Sequence, residues 1–240
     1  MKKTTLNWLF ALLFFSLFVV KSPLYGQEKK WNVYDYRPLN VGDVWTYTLH
    51  SLDAPTQNVT VEVTGQGVYN SIKVKIVKWP SEWIDYYEES SEGLKRHKDV
   101  DANNGNYGVY EPAAIQYPKY VKLNEPYRRS VIRKDYNHDS SLRKITREDL
   151  TLTLLGIEDI TIPSGTHKNC LKVLADLRQF DEDDNMIKRK ITSCWYALKI
   201  GIVKAGLVEL KNNKILSFNT IELQSYRTNN QKAHPGSPSK

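Results

Sequence analysis

The sequence predicts a mainly all-β protein: a single curved antiparallel sheet or incomplete β-barrel behind a short export leader. Three observations predict it. Apolar and polar residues alternate in run after run between Asn40 and Arg227, the period-two pattern of half-buried strands. Turn-forming clusters separate the runs. Outside the leader, no stretch of 12 or more residues repeats at the helical period.

The leader comes first. Lys2 and Lys3 precede the nearly continuous apolar run Leu6 to Val20, Ser22-Pro23 breaks it, and Leu24-Tyr25-Gly26 offers a small residue at a cut. Residues 1–26 therefore read as a signal peptide. An apolar run of about 15 residues is short of the roughly 20 that cross a bilayer. No cysteine stands near the cut, which argues against a lipobox, and no later stretch is apolar enough to span a membrane. The expectation is an exported protein, periplasmic or extracellular, soluble after processing. A single β-rich domain should occupy 27–227, and the polar segment 228–240 should be a disordered tail. The chain of 240 residues carries a net charge of +7. The leader's Lys2, Lys3 and Lys21 account for three of these, leaving +4. That surplus is interleaved with acids and points to no nucleic-acid partner.

The domain opens with a polar lead over 27–36. Strands follow at 44–49, 59–64, 71–79, 82–88, 94–98, 119–122 and 130–134, then at 144–154, 157–162, 167–178, 187–197, 200–209 and 214–227. Gly65-Gln66-Gly67, 102–106, Ile162-Pro163-Ser164-Gly165 and Asn212-Asn213 read as turns. Segment 100–128, with Pro112, Pro118 and Pro126, reads as long loops or one short helix. A hairpin centred on Glu182 sets Cys170 opposite Cys194, Asp176 opposite Lys188 and Val173 opposite Ile191. Opposed residues lie within disulfide reach, so an oxidising compartment predicts a Cys170–Cys194 bridge.

Three motifs occur together: Pro38-Leu39-Asn-Val-Gly42-Asp-Val-Trp45-Thr-Tyr47, Ile162-Pro163-Ser-Gly165-Thr166, and Trp195-Tyr196-Ala197-Leu-Lys-Ile200-Gly201-Ile202-Val203-Lys204. With Glu222-Leu223-Gln-Ser-Tyr226 they resemble a broad group of exported bacterial proteins called TapB-like, similar in outline to the curled sheets of the LolA/LolB lipoprotein carriers. The resemblance spans 36–226 and implies fold more than function. It casts Pro38, Gly42, Trp45, Tyr47, Pro163, Gly165, Trp195, Tyr196 and Gly201 as fold determinants. His167 replaces the group's usual Phe. Lys199 replaces its usual Gly, which implies no positive φ at 199.

Catalytic chemistry has little support. His50, His97, His138, His167 and His234 show no metal-ligand spacing, so no metal and no cofactor are expected. No nucleophile elbow occurs, and Ser164 beside His167 reads as a turn serine. The acids Glu82, Asp85, Glu88, Glu89 and Glu92 beside aromatic residues suggest at most a hydrolase. Aromatic residues crowd 79–136, with Trp79, Trp83, Tyr86 and Tyr87 as candidate ligand contacts. Basic stretches such as Lys95-Arg96-His97-Lys98 and Arg128-Arg129 with Arg133-Lys134 read as solvated edges. A weaker reading is peripheral contact with anionic lipid. The expected function is non-enzymatic: an envelope protein binding a lipophilic or protein ligand on a concave sheet face. The alternatives are a carbohydrate-binding module built on the 79–136 aromatics and an envelope hydrolase. The lipid, protein or glycan partner itself is unspecified by the sequence.

Overall fold

The computed structural model of the chain describes residues 29–52, 54–211 and 214–228. The expected leader and nearly all of the expected tail lie outside them. In chain order the elements are β1 (Trp31–Asn32), α1 (Val33–Tyr36), β2 (Val44–Ser51), β3 (Gln57–Tyr69), β4 (Ile72–Lys78), β5 (Trp83–Glu89), β6 (Gly93–Asp101) and β7 (Tyr107–Pro118). They continue as β8 (Tyr120–Val121), β9 (Pro126–Tyr136), β10 (Leu142–Ile162), β11 (Gly165–Phe180), β12 (Met186–Ala197), β13 (Gly201–Lys211) and β14 (Lys214–Arg227).

Twelve of these strands form one closed barrel, in the order β10-β11-β12-β13-β14-β2-β3-β4-β5-β6-β7-β9. The open sheet or incomplete barrel expected from sequence is thereby corrected. Closure happens at β9. One side of it pairs with β7, from Tyr107↔Tyr136 to Glu111↔Ile132, and the other with β10, from Leu142↔Tyr136 to Thr153↔Pro126. Every neighbouring pair is antiparallel, and closure leaves no edge of unpaired backbone groups. β1 pairs with β8 in a separate two-stranded ladder.

Local chemistry explains where several elements depart from expectation. Gly65-Gln66-Gly67 is no turn: β3 runs through it with a bulge between Val63 and Gly65. The chain reverses instead at Asn70 and Ser71, both at positive φ (48° and 66°), as a twist-matched two-residue hairpin requires. Segment 107–118 is a strand, and the runs 144–154 and 157–162 are one long strand, bent by irregularities after Leu154 and after Glu158. Lys199 does adopt positive φ, at 60°, contrary to the expectation for a non-glycine residue there. Its N–H donates to Asp35 C=O at 2.6 Å, so a bond to the N-terminal segment accompanies the unfavourable backbone.

The β11–β12 hairpin corrects the disulfide. Asp181 accepts from the N–H groups of Asp183 and Asn185, which places the turn one residue later than expected, and a bulge next to Phe180 shifts the register again. Cys194 therefore faces Val173, and Asp176 faces Ile191, while Cys170 sits opposite Glu158 on the other neighbour. Both thiols are free and buried, in separate apolar clusters. Burial pushes each thiol up to about 11. At pH 8 both stay protonated and inert. Native protein should ignore a thiol reagent at that pH, and unfolding without reductant should release two reactive thiols per chain; release of none would restore the disulfide.

Candidate functional site

The candidate site is the barrel interior, because the wall turns its chemistry inward there. Two segments close one mouth. Residues 31–43 enter the barrel, where Val33 and Leu39 are buried in the apolar core. Val33 N–H donates to Lys119 C=O at 2.9 Å and Tyr34 Oη donates to Ser90 C=O at 2.7 Å. The bent tip of β10–β11 folds across the same region, with Ser164 N–H donating to Leu223 C=O at 3.3 Å. Ile162 and Cys170 pack there with Leu39, Ala197 and Leu223.

Below this apolar plug lies a charged core. Arg133 forks onto Asp99 at 2.8 and 2.9 Å, donates to Asp135 at 2.7 Å through Nε, and reaches Tyr110 Oη at 2.5 Å. Tyr110 Oη donates to Asp99 at 2.7 Å. Arg96 lies 3.5 Å from Asp85 and over the Tyr110 ring at 4.6 Å. Asp85 also accepts from Trp79 Nε1 and Tyr87 Oη, each at 2.8 Å. Glu148 accepts from Gln179 at 2.8 Å and lies 3.7 Å from Arg129. Burial alone pushes the Arg133 guanidinium down, but Tyr110, Asp99, Asp135 and Glu148 outweigh it and hold the group charged. Burial pushes the Tyr110 phenol up, so it stays a neutral donor. Gly108 makes room for this network: a Cβ there would stand 2.5 Å from Arg133 Nη2.

Of the residues singled out from sequence, Trp79, Tyr87 and Asp85 are brought together, both rings donating to the one carboxylate; the others are dispersed. Trp79 and Tyr87 belong to the interior, both near the Arg37 guanidinium. Trp83 shares the Tyr87 face by strand alternation. Tyr86 lies outside, 6.5 Å from the Tyr69 ring. The acid cluster is likewise scattered: Glu82 pairs with Lys78, Glu88 with His97 and Glu92 with Lys95, and Asp85 alone is buried. Ser164 Oγ and His167 Nε2 do meet, at 3.0 Å, and burial pushes His167 down. No carboxylate pairs with that ring among the described residues, so the relay lacks its orienting member. Among the described residues no group of three or more His, Cys, Asp or Glu could hold a metal ion.

The fold-motif residues divide by role. Trp45 and Tyr47 are both inward; Trp45 Nε1 donates to Ile200 C=O at 2.6 Å and Tyr47 Oη to Ile202 C=O at 3.0 Å. Gly201 lies beneath Trp45 at φ 104°. Tyr196 meets Tyr117, oxygen to oxygen, at 2.7 Å, whereas Trp195 faces out, its Nε1 on Glu158. Pro163 and Gly165 bound the β10–β11 turn, where Ile162 pairs Gly165, and Pro38 and Gly42 shape the entry to β2. Sequence reasoning missed Arg96, Asp99, Arg129, Arg133, Asp135 and Glu148, and read the arginines as solvated. The available signal was parity: Arg129, Arg133 and Asp135 alternate in step with buried Val131, and Glu148 with buried Leu150, Leu152 and Leu154.

No protein-family model matches the chain, and no curated protein does. Three solved structures are similar to it. A candidate lipoprotein from Parabacteroides distasonis is 14% identical over 80% of this chain and 98% of that one, with a TM-score of 0.43. A candidate exported protein with a YmcC-like fold from Bacteroides fragilis is 14% identical over 80% and 99%, with a TM-score of 0.35. The hypothetical lipoprotein YmcC from Escherichia coli is 10% identical over 76% and 87%, with a TM-score of 0.43.

Removing one partner of a buried ion network leaves the others uncompensated. Arg133→Met should cost about 3–5 kcal/mol in urea unfolding. Gly108→Ala acts on the same contact, so the double variant should lose less than the two single losses combined. Full additivity would mean that the two residues do not act through one interaction.

Proposed function

We propose that this chain is an exported, non-enzymatic envelope protein that binds a protein partner through its outer wall. The observation that carries the reading is the filled interior. The recorded cavity in the apolar half measures about 30 Å³, enough for a water or two and far too small for a lipid tail. This packing supports a contact on the outer wall rather than on the concave face expected from sequence. Of the buried carboxylates, Asp85, Asp99, Asp135 and Glu148 are tied to arginines, tyrosines, Trp79 or Gln179 and Asp43 accepts from Asn40, which supports a role other than hydrolysis.

The outer wall supports the water-soluble part of the reading. A membrane-spanning barrel needs an apolar outer band about 25 Å tall. Here outward positions include Thr46, Thr48, Arg128, Lys134, Arg147, Asp149, Asp176 and Arg189, with Lys204 paired to Glu222 at 2.8 Å. Exposed apolar residues also occur, at Val68, Leu142, Leu155 and Ile157 among others. Near the β13–β14 turn, Leu52, Ile215 and Phe218 are 71%, 65% and 39% exposed, and Phe218 lies beside Val208. An exposed apolar cluster of this kind suits a protein contact. Export rests on the leader at 1–26.

Native mass spectrometry of protein made with its own leader should show a mature chain beginning at Gln27 and carrying no lipid. A photo-crosslinker at position 218 should capture one defined protein partner that the same probe at polar Thr46 does not. A stoichiometric lipid adduct, or equal capture from both positions, would overturn the reading.

A further inference from the structure

Arg37 is the one strongly buried cation whose compensation the described residues do not supply. Its residue is only 7% exposed, and the guanidinium makes no ion pair or hydrogen bond to any described residue. Its Nε is a buried donor without an acceptor. Its recorded neighbours are ring faces: Tyr117 at 4.9 Å, and Trp79 and Tyr87 at 5.9 Å each. The three phenolic groups near it are spent or protonated. Tyr87 Oη donates to Asp85, Tyr117 meets Tyr196, and burial pushes all three of Tyr87, Tyr117 and Tyr196 up.

A guanidinium does not lose its proton in a protein. Taking it out of water carries a desolvation cost that cation–π contacts return only in part. The unpartnered Nε–H adds a further cost. The contrast with Arg133 is direct: that arginine has two carboxylates and a phenol within 2.9 Å. Arg37 instead borders the small chamber, whose walls are otherwise apolar or aromatic: Leu39, Trp45, Tyr47, Val77, Trp79 and Ile202 among them. The indole N–H of Trp45 and the hydroxyl of Tyr47 already donate to backbone carbonyls, so Arg37 is the polar group left to meet an occupant.

We propose that the Arg37 chamber binds a small monovalent anion, paired with the guanidinium and enclosed by apolar and aromatic side chains. Its volume of about 30 Å³ selects the size. A halide or a carboxylate end fits; a tetrahedral phosphate or sulfate is too large. This inference is independent of the outer-wall reading: either can fail alone.

The test uses the mature protein at constant ionic strength, with sodium sulfate exchanged stepwise for sodium chloride or sodium formate. A bound anion stabilises the fold by mass action, so the unfolding midpoint should rise saturably, by about 3–5 °C at tenfold excess over Kd. Arg37→Met should abolish the rise. Should that variant fail to fold, crystals of the unaltered protein soaked in bromide decide the matter through an anomalous peak beside the guanidinium. A chloride response with that peak identifies a free halide. A formate response alone identifies a small free carboxylate. No saturable rise with either anion and no peak, or a rise that persists in Arg37→Met, overturns the proposal.

Discussion

A closed barrel of twelve strands encloses more space than its own wall can fill with aliphatic side chains. About eight strands is the width at which wall side chains just meet across the lumen, and sixteen or more leave a channel. This barrel lies between, and the rest of the structure answers that excess width. Residues 31–43 enter as a plug, the β10–β11 tip folds over the mouth, and the longest side chains available, arginine and tyrosine, reach across the remainder. The burial of Arg37, Arg96, Arg129 and Arg133 follows from the diameter as much as from any chemistry they perform.

Filling a lumen with charge has a physical consequence. Paired charges in an interior cost desolvation that their attraction only partly returns, so such a core contributes less to stability than an apolar one of equal volume. What it does contribute is geometry. Arg133 has one arrangement that satisfies Asp99, Asp135 and Tyr110 together, and Gly108 leaves the space for it. Asp85 likewise ties Trp79, Tyr87 and Arg96 to one point. The network holds β5, β6, β7 and β9 in mutual register across the seam where the barrel closes. Arg37 stands apart because the plug inserts it among rings, beyond the reach of that network.

Most strands were legible from alternation, as in Val59-Thr-Val-Glu-Val-Thr64 and Ile72 to Lys78. Misreadings cluster where the two-residue period is interrupted. Gly65 and Gly67 resemble a turn on composition, yet β4 pairs straight through them. Tyr107 to Pro118 hides its strand behind Pro112 and Pro118. The bulges in β10 split one strand into two apparent ones, and the bulge beside Phe180 moves Cys194 off Cys170. A register error of a few residues is invisible to composition and decisive for a disulfide. Charged residues in the core were misread for a related reason: Arg96 and Arg133 look like edge residues until a neighbour across the lumen is known.

By itself the sequence determined the all-β class, most strand positions and the shared face of Trp45 and Tyr47, because each depends on spacing along one strand. The tertiary structure alone decided closure, register, the plug and the identity of the buried ions. Those depend on which residues meet across tens of positions of chain or more, as when Trp45 reaches Ile200, 155 positions away, or Arg133 reaches Asp99, 34 away. Whether a charged side chain is solvated or enclosed depends on that meeting, and the parity of its strand assigns it a face without naming its partner.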